Sequence, residues 1–574
     1  MAVKRKVVIA VLASAAFPMV GSGAPELPRA PMSASTAATV RTDTGLVRGL
    51  RTATHTLFRG IPYAGPAEGA YRWAAPRPVQ PWKGVRDATK PGPLCAQVAS
   101  SYADAASLEE DCLVLDVTAR APAAAERPAP VLVWIHGDGS VGGGSLFDAR
   151  RLADRGLVVV TVNYRLGVFG GFGYPGLDGS GTFALQDQQA ALDWVRRNAG
   201  VFGGDPDNVT VAGSSFGAAA ISGHLTSPGA RGLFHRAILA SGEGMMDMPA
   251  GAMGEEVPAY PYYTWRTEQE VRDAGVEMTS SLGCAERGPE HALRCLRALP
   301  VKKLLAVPHV MNAFQTFAYG TEVLPELPEK ALDEGRFPRI PLMSGATRDE
   351  HRLFVGMAHD AVGTPFTADQ YERALATAFG RRADTVSAQY PVGDFPSPAL
   401  AWATVVTDRM WARGTYAQAV AFGRHTPTYA YEFADRDAPM YLPFPGDFDF
   451  GAYHAGDTPY VFEDASAQKH FTQAQVRLSD TMTDHWAHFA RTGTPNRPGL
   501  PRWPRFDPAR AVPHTQFLAP DGVGPVDYAM EHRLGFWRRL AKQDTFPPSE
   551  PAEGKESSHD RPAPAATDWL CKGL

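Results

Sequence analysis

The stretch VTVAGSSFGAAA, residues 209–220, runs from β-branched residues through Gly213-Ser214-Ser215-Phe216-Gly217 into alanines. β-Branched residues suit a strand and alanines a helix, so the G-x-S-x-G between them sits at a strand-to-helix turn. A sharp turn there lifts the Ser215 hydroxyl clear of a sheet. Gly213 and Gly217 permit it, because a Cβ at either place would crowd the neighbouring helix and strand. A chain folded around such an elbow needs strands alternating with helices, and the remaining sequence supplies them.

Strand-like runs occupy residues 112–117, 131–136, 158–163, 209–212, 237–240 and 341–344. Helical periodicity fills 185–198, 218–226 and 478–491. This alternation predicts an α/β architecture: a large, mostly parallel sheet covered by helices on both faces. Residues 245–337 and 367–425 turn mainly helical. They read as excursions from the sheet, because chemistry-bearing motifs lie on both sides of them. One domain over residues 40–544 is therefore expected, and 44% hydrophobic residues suffice for its core.

The ends read differently. Lys4, Arg5 and Lys6 precede an apolar run over 7–20 and then Gly21-Ser22-Gly23-Ala24. That order predicts an export signal at residues 1–24 and a secreted product. The apolar run is short of the roughly 20 residues a membrane span needs, so no stable membrane insertion is expected; a retained anchor is the alternative. Residues 25–39 read as a flexible lead-in and 545–574 as a disordered tail. Five cysteines fit an exported chain. Cys95 with Cys112 and Cys284 with Cys295 could close two loops, leaving Cys571; four reduced thiols are the other possibility. A net charge of -5 points to neither nucleic acid nor an anionic membrane surface.

A serine nucleophile needs a base, an acid to orient that base, and donors for a developing oxyanion. The acid candidate is in Gly345-Ala346-Thr347-Arg348-Asp349-Glu350, just after an apolar strand. The histidine candidate is in the turn-rich Gly451-Ala452-Tyr453-His454-Ala455-Gly456-Asp457. The oxyanion candidate is His136-Gly137-Asp138-Gly139, directly after VLVWI. Among 16 histidines and 61 acidic residues none of these is telling alone. Their order is: serine, then acid, then histidine is the chain order of α/β-hydrolases.

With these residues in view, the chain resembles the type B carboxylesterases, the family that includes the cholinesterases. The resemblance covers roughly residues 40–540. It rests on FRGIPYAGPAEGAYRW, EEDCLVLDV, PVLVWIHG, VVVTVNYRLGVFG, ALQDQQAALDWVRRNAGVFGGDPDNVTVAG, GATRDE, GAYHAGDTPYVF, LSDTMTDHWAHFARTGTPN and PRWP. It implies an α/β-hydrolase fold with helical insertions over the site and a triad of Ser215, Glu350 and His454. It also implies disulfides Cys95–Cys112 and Cys284–Cys295, and an Arg72–Glu110 pair beside the first. The expected activity is hydrolysis of small-molecule carboxylic esters with an apolar acyl or alcohol group, with backbone N–H groups of Asp138, Gly139 and Phe216 receiving the oxyanion. No metal or organic cofactor is required.

Departures from the family pattern crowd the reaction centre. Ser214 and Phe216 replace the Glu and Ala of G-E-S-A-G, Asp138 and Ser140 interrupt H-G-G-G-F, and His351 replaces a glycine after the acid. A carboxylate at residue 138 about 6 Å from an oxyanion would oppose it by roughly 3 kcal/mol at an effective ε of about 20. Its side chain is therefore expected to point away. Phe216 should shrink or reshape the acyl pocket, and Phe314, Phe317 and Tyr319 line an apolar pocket or belong to the core. No tryptophan lies between Cys95 and Cys112 to hold a quaternary ammonium, which argues against cholinesterase activity. Four rival readings are weaker. The G-x-G-x-x-G at 137–142 lacks the acid of a dinucleotide site, and His485 with His488 lacks a third metal ligand. A repurposed hydrolase would use the same triad for acyl transfer or cyclisation with water excluded, whereas a non-catalytic binding protein would have no need of it.

Overall fold

The computed structural model describes residues 36–542 apart from 101–104, 122–126, 286–287, 360–362 and 441–446. The expected export signal, most of the lead-in, the C-terminal tail and Cys571 lie outside the described residues.

The central sheet is continuous, and its middle is parallel. β6 (Ala129–Ile135) pairs with β7 (Val158–Val162) on one side and with β8 (Gly204–Ser214) on the other. β9 (Arg236–Ala240), β12 (Leu342–Thr347), β13 (Thr428–Phe433) and β14 (Thr515–Ala519) continue the parallel order outward from β8. β15 (Gly522–Val526) closes that edge antiparallel. Beyond β7, β5 (Val114–Arg120), β3 (His55–Pro62), β2 (Leu46–Arg51) and β1 (Thr36–Arg41) follow antiparallel, and the short β4 (Val85–Asp87) pairs parallel with β2. β1 starts inside the stretch expected to be a lead-in. Its backbone finds a register partner in Leu46–Arg51, and Ala38 is buried beneath it.

The parallel strands carry apolar residues on both faces because helices cover both. In β6, Val131, Val133 and Ile135 join one core, against the helices Phe183–Asn198 and Phe216–Thr226. Leu132 and Trp134 alternate into a second core, under Leu478, Met482, Trp486 and Phe489 of the helix Gln473–Thr492. The helical excursions build a third cluster around Trp402, Trp411 and Trp537. The excursion over 245–337 also holds two short strands, β10 (Trp265–Thr267) and β11 (Phe317–Tyr319), paired parallel.

Cys95 is bonded to Cys112, and Cys284 to Cys295. Arg72 grips Glu110 through two parallel hydrogen bonds of 2.7 and 2.6 Å, and donates to the carbonyls of Leu296 and Leu299 at 3.0 and 2.8 Å. That one guanidinium ties the first disulfide loop to the helix that carries Cys295.

Candidate active site

β6, β8 and β12 run parallel and deliver their carboxyl ends to one edge of the sheet, where open α/β sheets bind ligands. Ser215 sits where β8 ends and the helix Phe216–Thr226 begins, with φ 54° and ψ -125°. A non-glycine residue holds that backbone conformation only when its surroundings impose it. Here the Ser215 N–H donates to Ala240 O of β9 at 2.8 Å, and its carbonyl accepts from Ala219 at 3.0 Å. The flanking glycines are sterically required. A Cβ on Gly217 would lie 2.2 Å from Ile135 O, and one on Gly213 would lie 2.8 Å from Gly217 C.

Glu350 follows β12 and is fully buried. One carboxylate oxygen accepts the Thr347 N–H at 2.7 Å; the other meets His454 Nδ1 at 2.5 Å. Two sequence-distant candidates are thus joined directly. Ser215 Oγ and His454 Nε2 make no hydrogen bond among the described residues, and relay bonds of unliganded hydrolases are often long. The remaining flanks of His454 are aromatic: Trp411 at 4.8 Å and Phe354 at 5.2 Å between ring centroids.

The third edge of the site is the turn after β6. Asp138 has φ 64°, and the N–H of Gly139 folds back onto Gly137 O at 3.0 Å, closing a γ-turn. The Asp138 carboxylate accepts the Ser140 N–H at 2.8 Å, the Val141 N–H at 3.2 Å and the Ser140 hydroxyl. It therefore serves its own loop. Burial holds this carboxyl above the ordinary carboxylate range, against the pull of the Ser140 bonds and of nearby His454. The N–H groups of Asp138 and Phe216 have no acceptor among the described residues, whereas that of Gly139 is already engaged.

Phe216 stacks on Phe317 at 4.4 Å, and Phe317 packs on Trp265 at 5.8 Å. A Cβ on Gly139 would meet the Phe216 ring at 2.4 Å, so the ring lies directly against the oxyanion turn. Phe314 instead packs on Phe172 within the core, and Tyr319 ends β11.

Family relationship follows from this arrangement and from direct similarity. The description "Carboxylesterase family" belongs to a family model that matches residues 36–520. The chain belongs to the carboxylesterase family. It is an ester hydrolase with the α/β-hydrolase fold. The esterase is similar to para-nitrobenzyl esterase of Bacillus subtilis (strain 168), 33% identical over 81% of this chain and 92% of that one. It is similar to Carboxylesterase 3 of Pongo abelii, 33% identical over 84% and 86% respectively. A solved PNB esterase superposes with TM-score 0.69 at 30% identity, covering 87% of this chain and 99% of its own.

Several residues of the esterase site carried no role in the sequence. His351 is buried, bridges Trp411 Nε1 (3.3 Å) and Ala252 O (2.8 Å), and is pushed down to about 3 by burial. Asp457 is buried, accepts from the Tyr431 hydroxyl at 3.4 Å and is pushed up to about 6 by burial and Glu350. Glu243 lies buried two residues beyond Ser241. His351, as a departure from the pattern after the acid, and the acidic residue in GAYHAGD offered a signal; Trp411 and Glu243 come from stretches without a motif.

Proposed function

We propose that this esterase is a secreted serine carboxylesterase that works through an acyl-enzyme on Ser215. His454 takes the Ser215 proton as the hydroxyl attacks the ester carbonyl, and Glu350 fixes the imidazole through Nδ1 and stabilises its cation. The N–H groups of Phe216 and Asp138 face the oxyanion first. That of Gly139 joins once substrate draws it from Gly137 O. Alcohol leaves, and the same base activates water against the acyl-enzyme. The observation carrying this reading is a serine at a strained strand-to-helix elbow, on the same sheet edge as the 2.5 Å Glu350–His454 pair.

Phe216, seated against the oxyanion turn and backed by Phe317, favours esters with a short acyl group. The N-terminal pattern Lys4-Arg5-Lys6 and apolar run, together with two disulfides, supports secretion. The test is a p-nitrophenyl ester series from acetate to decanoate, beside Ser215→Ala. Turnover that falls with acyl length and vanishes in the variant is expected. Labelling of Ser215 by a fluorophosphonate without turnover of any ester would favour specialised acyl transfer instead.

A further inference from the structure

Glu243 is a titratable group that the hydrolytic steps leave unused. It follows β9 by three residues, in Ser241-Gly242-Glu243, and the segment is wedged beside the nucleophile. The Ser241 N–H donates to Gly345 O of β12 at 2.8 Å, and a Cβ on Gly242 would lie 2.0 Å from Ser215 O. The Glu243 side chain is 1% exposed. Its Oε1 accepts the Thr415 hydroxyl at 2.6 Å, from the helix Arg413–Gly423. Its Oε2 has no partner among the described residues. A buried carboxylate offered only a hydroxyl and its own backbone N–H is disfavoured, whereas the protonated acid tolerates the site.

Among the described residues, the titratable groups in electrostatic contact with Glu243 are Glu350 beyond β12, Tyr431 on β13 and Tyr528 in the helix Tyr528–Glu531. Glu432 and Asp457 stand behind the tyrosines, and His454 behind Glu350. An anion at Glu243 would join Glu350 in one buried compartment. It would hold a proton on His454 and oppose the oxyanion on Ser215.

We propose that Glu243 is a positioning residue of the hydrolytic centre, an acid that keeps its proton so that no further anion gathers behind the Glu350–His454 pair, and whose ionisation shuts hydrolysis down. Burial and Glu350 push its carboxyl up to about 8. Asp457 titrates lower, near 6, and both tyrosines are held well above their ordinary range. Glu243 is thus placed to change charge just above neutrality. The inference rests on Ser215, Glu350 and His454 acting together.

The experiment follows the rate of Ser215 acylation from pH 6 to pH 10, both by p-nitrophenyl ester turnover and by fluorophosphonate labelling. In the wild type the rate falls about tenfold between pH 7 and pH 9, as one ionisation near 8 dictates. Glu243→Gln, which is neutral and still accepts from Thr415, stays flat over that range. Thr415→Val, which removes the donor favouring the anion, moves the decline to higher pH. A decline in Glu243→Gln parallel to the wild type overturns the proposal. So does a decline in Thr415→Val that stays in place or moves down, which decides the matter if the first variant does not fold. Labelling without turnover sinks the ester reading alone, because the labelling rates still judge Glu243.

Discussion

His454 and His532 are both buried and both paired with acids, yet they are built for opposite ends. His454 meets one carboxylate, Glu350, at Nδ1, and its other faces are rings. His532 is held at both nitrogens, by Asp408 at 2.7 Å and Glu432 at 2.6 Å, and Arg533 adds a third contact to Asp408 at 3.0 Å. The two hydrogen-bonded carboxylates outweigh burial and push His532 up to about 10, so it stays an imidazolium. One carboxylate orients a ring and leaves its other nitrogen available, as the proposed proton transfer requires; two carboxylates lock a cation in place. Both histidines meet the same π-helical turn, Thr407–Ala412, through Trp411 and Asp408. π-Turns of this kind are frequent at functional sites, and this one ties the reaction centre to the C-terminal segment.

The difference is sharpest in a pair of variants. His454→Ala is expected to lower kcat by about 10^4-fold or more with the unfolding transition little changed. His532→Gln is expected to cost about 3–5 kcal/mol in denaturant unfolding, because Glu432 is left buried without a cation and Asp408 keeps only Arg533. If His532→Gln unfolds like the wild type, the clamp reading of that cluster is wrong.

The pH response separates them next. The folded-state value of His532 is raised, so its stabilisation is complete below the ordinary histidine value of about 6.5. It is then lost as pH rises through about 10. Urea midpoints measured between pH 6 and pH 10 should converge for wild type and His532→Gln toward the alkaline end. A gap independent of pH would mean packing rather than charge. The smallest effect is expected at Trp411→Leu. Losing one aromatic partner of about 0.5–1.5 kcal/mol should reduce kcat several-fold, through looser placement of His454. An unchanged kcat would show that Glu350 alone positions the ring.

Much of this was legible locally. The elbow could be read because its glycines are demanded by the backbone itself: the turn holds Ser215 at φ 54° between Gly213 and Gly217. β6, β7 and β12 stood out as apolar runs, and the helix Phe183–Asn198 as a periodic one. β13 and β14 escaped notice. Each borders helical or loop sequence, and each is stabilised by a neighbour more than 80 residues away in the chain, as in the pairing of Leu342 with Thr428. The Asp138 carboxylate was expected to turn away from the nucleophile; its acceptance of the Ser140 and Val141 amides supplies the local reason for the direction it takes.

The sequence by itself determined the identity and order of the chemical groups, because nucleophile elbow, acid and histidine each occupy a short motif with its own backbone demand. Only the tertiary structure decided what surrounds them. Glu243, Trp411 and the two acids around His532 have meaning through contacts between residues far apart in the chain. Burial, which sets their charge, belongs to the packed body and to no stretch of the chain.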